Sequence, residues 1–136
     1  MAAPLLLDTC AVIWSMSGAK MTDESLTAIA AASTEKMALS MSPISVWEIG
    51  LLVSKGRLAF SVEDWFDALI SHSGLMLAEM PPEVLIASSF LPNDAPNNPA
   101  DRIILATARR FGLQIVTRDQ KILEYARKGH AAYLEC

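Results

Sequence analysis

Four acidic residues occupy settings that suit a carboxylate poorly. Asp8 stands between Leu5-Leu6-Leu7 and the apolar run Ala11-Val12-Ile13-Trp14. Glu48 lies mid-helix by pattern, one turn from Ile44 and one turn from Leu51 and Leu52, on the stripe that should face a core. Asp101 shares a helical face with Ile104, Leu105 and Ala108, and Asp119 follows the apolar segment Gln114 to Val116. An isolated charge beside a core is costly, so each acid needs a partner. One partner serves all four: a hard divalent cation, Mg²⁺ or Mn²⁺, which takes oxygen ligands. Without a cation, clustered carboxylates repel one another and their pKa values rise. Paired metals about 4 Å apart can stabilise both the attacking and the leaving oxygen of a phosphoryl displacement, so the chemistry indicated is hydrolysis of a phosphodiester. Thr117 offers a hydroxyl to hold a ligand or a metal-bound water, and Arg102 and Arg118 are candidate phosphate contacts. A surface role for either arginine fits equally well. His72 and His130 are far apart in sequence and read as surface residues.

Each acid also has a plainer reading. Glu48 could point out to solvent or pair with an arginine. Asp8, Asp101 and Asp119 could each cap the helix that follows or open its first turn. Capping explains any one of the three; all three on one rim, with Glu48 beside them, is harder to explain that way.

The elements that must position these residues alternate. A first strand ends at Leu7, and Thr9 to Ser15 forms a short helix broken at Ser17-Gly18. Thr22 caps a second helix whose apolar positions are Leu26, Ile29 and Ala30. Lys36 to Ser40 reads as a strand. Ser42-Pro43 then opens a helix through Glu48 that Gly56 ends. Ser61 to Asp64 opens a helix that Ser73-Gly74 terminates. Leu75 to Glu79 is a third strand, and Pro81-Pro82-Glu83 starts a helix reaching Ser89. Leu91 to Asn98 is the one long loop. Asn98-Pro99-Ala100-Asp101 begins a strong helix stopped by Gly112, followed by strand 114–116, helix 119–127 and strand 131–134. Strands alternating with helices predict a three-layer α/β/α fold, a single domain over 1–136, with a mostly parallel sheet of about five strands. Ligands of such sheets sit beyond the carboxyl ends of the strands, the rim on which Asp8 and Asp119 fall.

Composition bounds the class. The chain has 136 residues, 52% hydrophobic and 19% charged, which excludes a disordered chain and supplies a core without disulfides. No segment approaches the roughly 18 apolar residues of a membrane span, and the N-terminal apolar run is too short for a signal peptide. Cys10 reads as a small core residue and Cys136 as a fraying terminus, which suits a reducing cytoplasm. The net charge of −4 is unevenly spread: residues 101–136 carry a local +3 and residues 1–100 a local −7. A basic third can guide a polyanion, or simply solvate two helices.

The ordered set Leu5-Leu6-Leu7-Asp8-Thr9, Ser45-Val46-Trp47-Glu48, Asn98-Pro99-Ala100-Asp101-Arg102-Ile103-Ile104-Leu105-Ala106-Thr107-Ala108 and Val116-Thr117-Arg118-Asp119 resembles the PIN-domain ribonucleases, and more narrowly the VapC toxins of bacterial toxin–antitoxin pairs. The resemblance spans essentially the whole chain. It implies a parallel sheet of about five strands, an acidic pocket of Asp8, Glu48, Asp101 and Asp119, and a supporting hydroxyl from Thr117. It further implies Mg²⁺- or Mn²⁺-dependent endonucleolytic cleavage of RNA, leaving a 5′-phosphate and a 3′-hydroxyl. A cognate antitoxin would block the site, and a homodimer would be common. One departure stands out: many relatives carry an aromatic and a histidine in the loop, and aspartate in place of Asn98, whereas this loop is Asn93-Asp94-Ala95-Pro96-Asn97-Asn98.

Rival readings lack residues they require. A phosphoacceptor receiver domain needs a lysine after a late strand, and neither Met80-Pro81-Pro82 nor Thr117-Arg118-Asp119 supplies one. An aspartate-nucleophile phosphatase usually has a second acid two residues on, where this chain has Cys10. A catalytically inactive PIN-like domain, its acids docking a basic peptide, remains as the non-enzymatic alternative.

Overall fold

Three consecutive leucines build the centre of the molecule because successive strand side chains face opposite ways. In the computed structural model, which describes residues 4–35, 38–72 and 74–136, Leu5 and Leu7 point to one face of the sheet and Leu6 to the other, all three buried. This strand, β1 (Leu5–Leu7), pairs in parallel with β2 (Leu39–Met41) on one side and β4 (Gln114–Thr117) on the other. β3 (Met76–Leu77) and β5 (Ala132–Glu135) complete an all-parallel sheet of order β3-β2-β1-β4-β5. Strands buried on both faces have no room for alternating polar residues, which is why they read as continuous apolar runs.

The faces are covered by different helices. Leu5, Leu7, Met41 and Val116 pack with side chains from α1 (Thr9–Ser17), α2 (Asp23–Ser33), α3 (Pro43–Ser54) and α4 (Val62–His72). Leu6 and Ile115 pack with Ile104, Leu105 and Ala108 of α6 (Pro99–Phe111) and Ile122 and Tyr125 of α7 (Gln120–Tyr125). α5 (Pro82–Ser89) packs against α6, and a π-helical turn over Ala126–His130 follows α7. The chain thus runs β1, β2, β3 outward in one direction, then returns to the opposite side of β1 for β4 and β5. Crossovers leave β1 and β4 in opposite directions, and a crevice opens at their carboxyl ends.

Several expected signals act as read. Ser42 caps α3 through Ile44 N–H with Pro43 next, Thr22 caps α2, Asn98 caps α6, and Gly112 closes α6 at φ 66°. Other expectations are corrected. The strand expected over 75–79 is only Met76–Leu77, an edge too short to pair further. α2 turns Leu26 to solvent and buries Ser25 and Ala32, with Ala28 and Ile29 packed beside them. Cys10 is exposed rather than in the core. Cys136 is buried rather than frayed, because its N–H donates to the Thr117 carbonyl and extends the pairing of β4 with β5. Lys36 and Ser73, expected in a strand and a helix stop, and the His72 side chain lie outside the described residues.

Candidate active site

The switch point between β1 and β4 fixes two of the acids. Register sets Leu7 beside Val116, so Asp8 and Thr117 emerge side by side, and the Asp8 N–H donates to the Val116 carbonyl at 3.1 Å. The Asp8 carboxyl is nearly buried, and each oxygen accepts one hydrogen bond: one from Ala11 N–H at 2.8 Å, capping α1, and the other from the Thr117 hydroxyl at 2.5 Å. The Thr117 oxygen in turn accepts from the Asp119 N–H at 3.0 Å. Asp119 caps α7 through a single oxygen, which takes the N–H groups of Lys121 and Ile122. Its second oxygen has no hydrogen-bond donor among the described residues.

Glu48 arrives from α3. The Thr9 hydroxyl donates to its Oε1, and Ser45 stands 2.9 Å from the Thr9 oxygen. Thr9 has one proton, directed to Glu48, so Ser45 is the donor in that pair. A chain of two hydroxyls therefore ties α3 to α1 and aims the carboxylate. The arginine partner considered for Glu48 is not there: among the described residues the one ion pair joins Arg127 and Glu135. Asp101 is in the first turn of α6, but Asn98 performs the capping, accepting from Ala100 N–H at 2.9 Å and Asp101 N–H at 3.2 Å. No described group donates to the Asp101 carboxyl.

Asp8, Glu48, Asp101 and Asp119 line one cleft of about 490 Å³, with Thr9, Cys10, Trp47, Lys55 and Arg57 among its walls. The electrostatics record their proximity. Burial raises Asp8 to about 6, against the opposing pull of the Thr117 and Ala11 hydrogen bonds, and Asp119 and Glu48 add to the rise. Burial raises Asp101 to about 7, reinforced by Asp119, Glu48 and Asp8 and opposed by Lys121. Burial, with Asp8 next in effect, lifts the Cys10 thiol to about 11, so it stays protonated and a poor nucleophile at neutral pH. Oxygen donors that burden one another with protons suit a hard divalent cation. As the side chains stand, no three His, Cys, Asp or Glu residues among those described are arranged to hold a metal ion. A bound cation would have to draw the carboxylates inward.

The two arginines expected on phosphate are occupied elsewhere. Arg102 donates to the Ser88 carbonyl at 2.8 Å and the Pro96 carbonyl at 3.0 Å, bracing α5 and the loop against α6. Arg118 donates to the carbonyls of Lys20 and Cys136 and stacks over Trp14 at 3.9 Å. Neither lines the acidic cleft. The cations that do line it, Lys55 and Arg57, follow α3, and nothing in their spacing links them to the acids. Thr9 and Ser45 had a readable signal: a hydroxyl beside Asp8, and another one helical turn before Glu48.

A parallel sheet whose switch point gathers acids from β1, α3, α6 and the end of β4 defines the architecture of a PIN domain, and the family model for the PIN domain matches residues 5–128. The chain belongs to that family. Ribonuclease VapC22 of Mycobacterium tuberculosis (strain ATCC 25618 / H37Rv) is 34% identical over 86 residues, which make up 62% of this chain and 65% of that protein, just under two thirds of its length. Among solved structures, the DNA-bound VapBC of Salmonella typhimurium aligns with a TM-score of 0.68 at 16% identity, over 98% of each chain. FitAcB from Neisseria gonorrhoeae aligns at 0.60 and 18% identity over 96% of each. A toxin–antitoxin complex from Klebsiella pneumoniae aligns at 0.57 and 20% identity, over 88% of this chain and 89% of that one. These likenesses show the fold. Among the described residues no helix is long and apolar enough to cross a membrane.

Proposed function

We propose that the chain is a Mg²⁺- or Mn²⁺-dependent endoribonuclease, the toxin of a cytoplasmic type II toxin–antitoxin pair. The observation that carries this reading is the meeting of Asp8, Glu48, Asp101 and Asp119 in one cleft at the switch point of a PIN fold. The name and identity of the curated relative support ribonuclease chemistry, and the solved complexes support an antitoxin partner. Asp8, Asp101, Glu48 and Asp119 are the residues that would hold the metal. A divalent cation bound there supplies an activated water and neutralises charge building on the phosphoryl oxygens. The chain's own contribution is positioning. Thr117 and the α1 backbone fix Asp8, the Ser45–Thr9 relay fixes Glu48, and the α7 backbone fixes one oxygen of Asp119 while leaving the other directed elsewhere. The Asp101 carboxyl, which takes no hydrogen bond from the described residues, keeps the rotational freedom to meet ion or substrate. A homodimer is part of the same reading, as is an antitoxin that places a basic side chain among the acids.

The test is cleavage of RNA by purified protein with Mg²⁺ or Mn²⁺, with and without chelator, beside Asp8→Asn. We expect metal-dependent cuts leaving 5′-phosphates, and none from the variant. Asparagine keeps an oxygen for Ala11 N–H, so the variant should still fold, which circular dichroism checks. Undiminished cleavage by Asp8→Asn, or by the unsubstituted chain in chelator, overturns the reading. Sequencing RNA ends after induction in cells would name the target.

A further inference from the structure

A second polar cavity lies against loop 91–98. Its volume is about 610 Å³, and Arg102, Lys121 and Lys128 face it, against Asp94 and Glu124. It borders the acidic cleft residue by residue: Asn97 lines one and Asn98 the other, Arg102 one and Asp101 the other, Lys121 one and Asp119 the other. The wall is built rather than loose. The Tyr125 hydroxyl donates to the Pro92 carbonyl at 2.5 Å, the Asn93 amide meets His130 at 3.3 Å, and Arg102 holds the Pro96 carbonyl. Asn93 itself sits at φ 55°, a left-handed conformation that asparagine tolerates better than most residues. Lys121 and Lys128 are exposed and, among the described residues, neither forms an ion pair. Lys55 and Arg57 line the acidic cleft itself, and among the described residues neither forms an ion pair. Cations thus stand both in the acidic cleft and in the neighbouring cavity.

We propose that the cavity under loop 91–98 is a binding site for the phosphodiester backbone of the RNA strand, with Lys121 and Lys128 taking phosphates next to the scissile one. The proposal rests on the ribonuclease reading and extends it: the acids would cut a strand that the lysines hold in place. Lysine contacts to phosphate carry no base information, so the site sets register, not sequence.

The test measures binding of a fluorescein-labelled single-stranded RNA of mixed sequence by anisotropy, in chelator, at several salt concentrations. The proteins are the unsubstituted chain, Lys121→Ala/Lys128→Ala, and the charge-matched Lys20→Ala/Arg110→Ala, whose residues line neither cavity. Losing two phosphate contacts should weaken binding and lower the slope of log K against log salt by about 1.4, at ~0.7 per phosphate on a single strand. The matched pair should bind like the unsubstituted chain. The proposal is overturned if Lys121→Ala/Lys128→Ala keeps the original affinity and slope, or if the matched pair loses as much. Cleavage with Mg²⁺ in parallel separates the two readings. An unsubstituted chain that neither binds nor cuts RNA removes both; one that cuts RNA while the lysine variant binds undiminished removes only this one.

Discussion

At Asp8 a single carboxyl does structural and chemical duty together. Each of its oxygens accepts one hydrogen bond, and a carboxylate has capacity for more, so capping α1 does not remove it from metal binding. The bond from Thr117 is the more exposed to test, because it serves position alone. Thr117→Val keeps the buried volume but leaves Asp8 free to rotate and removes the acceptor for Asp119 N–H. By analogy with groups that orient metal ligands, we expect about 10–100-fold lower cleavage. Activity assays alongside thermal melts check it, and unaltered activity would show the contact is only structural. Glu48→Ala gives a different outcome. It deletes one hydrogen bond, worth about 1 kcal/mol net, and also removes a charge that repels Asp8 and Asp101. Metal-free stability should therefore change by less than about 1 kcal/mol in urea melts. A larger loss would make Glu48 a structural residue. These four acids were readable from sequence because each disturbed an apolar pattern. Lys55 and Arg57 disturbed none, and only the packing of α3 on α1 brings them to the cleft.

The elements themselves were legible where backbone chemistry is local. Caps at Thr22, Ser42 and Asn98 and the stop at Gly112 need only nearby residues, so their side chains announce them. What failed depends on distant partners: the face α2 buries, the length of β3, the exposure of Cys10 on α1, and the burial of Cys136, which depends on the end of β5 reaching β4. Asn98 links the two kinds of information, since it starts α6 and so places Asp101. Asn98→Ala should cost about 1 kcal/mol, the usual loss for a cap, measured by urea denaturation. Cleavage should fall with it, because Asp101 rides on the first turn. Two glycines separate conformation from space. Gly112 (φ 66°) has nothing near a new Cβ, whereas at Gly74 (φ 70°) a Cβ would stand 2.7 Å from the Ser33 carbonyl oxygen. Gly112→Ala should cost about 1–2 kcal/mol for the left-handed backbone alone. Gly74→Ala should cost clearly more, and equal losses in the same denaturation series would mean that the α2 end yields freely.

For the molecule as a whole, the acidic cleft sets a conflict between folding and charge that pH resolves in a definite direction. Asp8 at about 6 and Asp101 at about 7 hold protons in the folded chain that the unfolded chain, near 3.8, has already released. Between about pH 4 and pH 7 the folded state therefore binds more protons than the unfolded state, and stability falls as pH rises. The contribution is complete below the unfolded value and lost once pH passes the folded ones. Metal-free protein should melt at a higher temperature at pH 5 than at pH 8, with the decline beginning above about pH 4 and levelling off past about pH 7. A cation that binds ionised carboxylates acts in the opposite sense, because it stabilises only the folded chain and competes with protons for the same oxygens. Millimolar Mg²⁺ or Mn²⁺ should raise the melting temperature substantially at pH 8 and little at pH 5. Asp101→Asn should flatten the metal-free decline and blunt the metal's effect together. Scanning fluorimetry over this grid checks all three; a melting temperature that ignores both pH and metal would mean that the four acids do not share a site in solution.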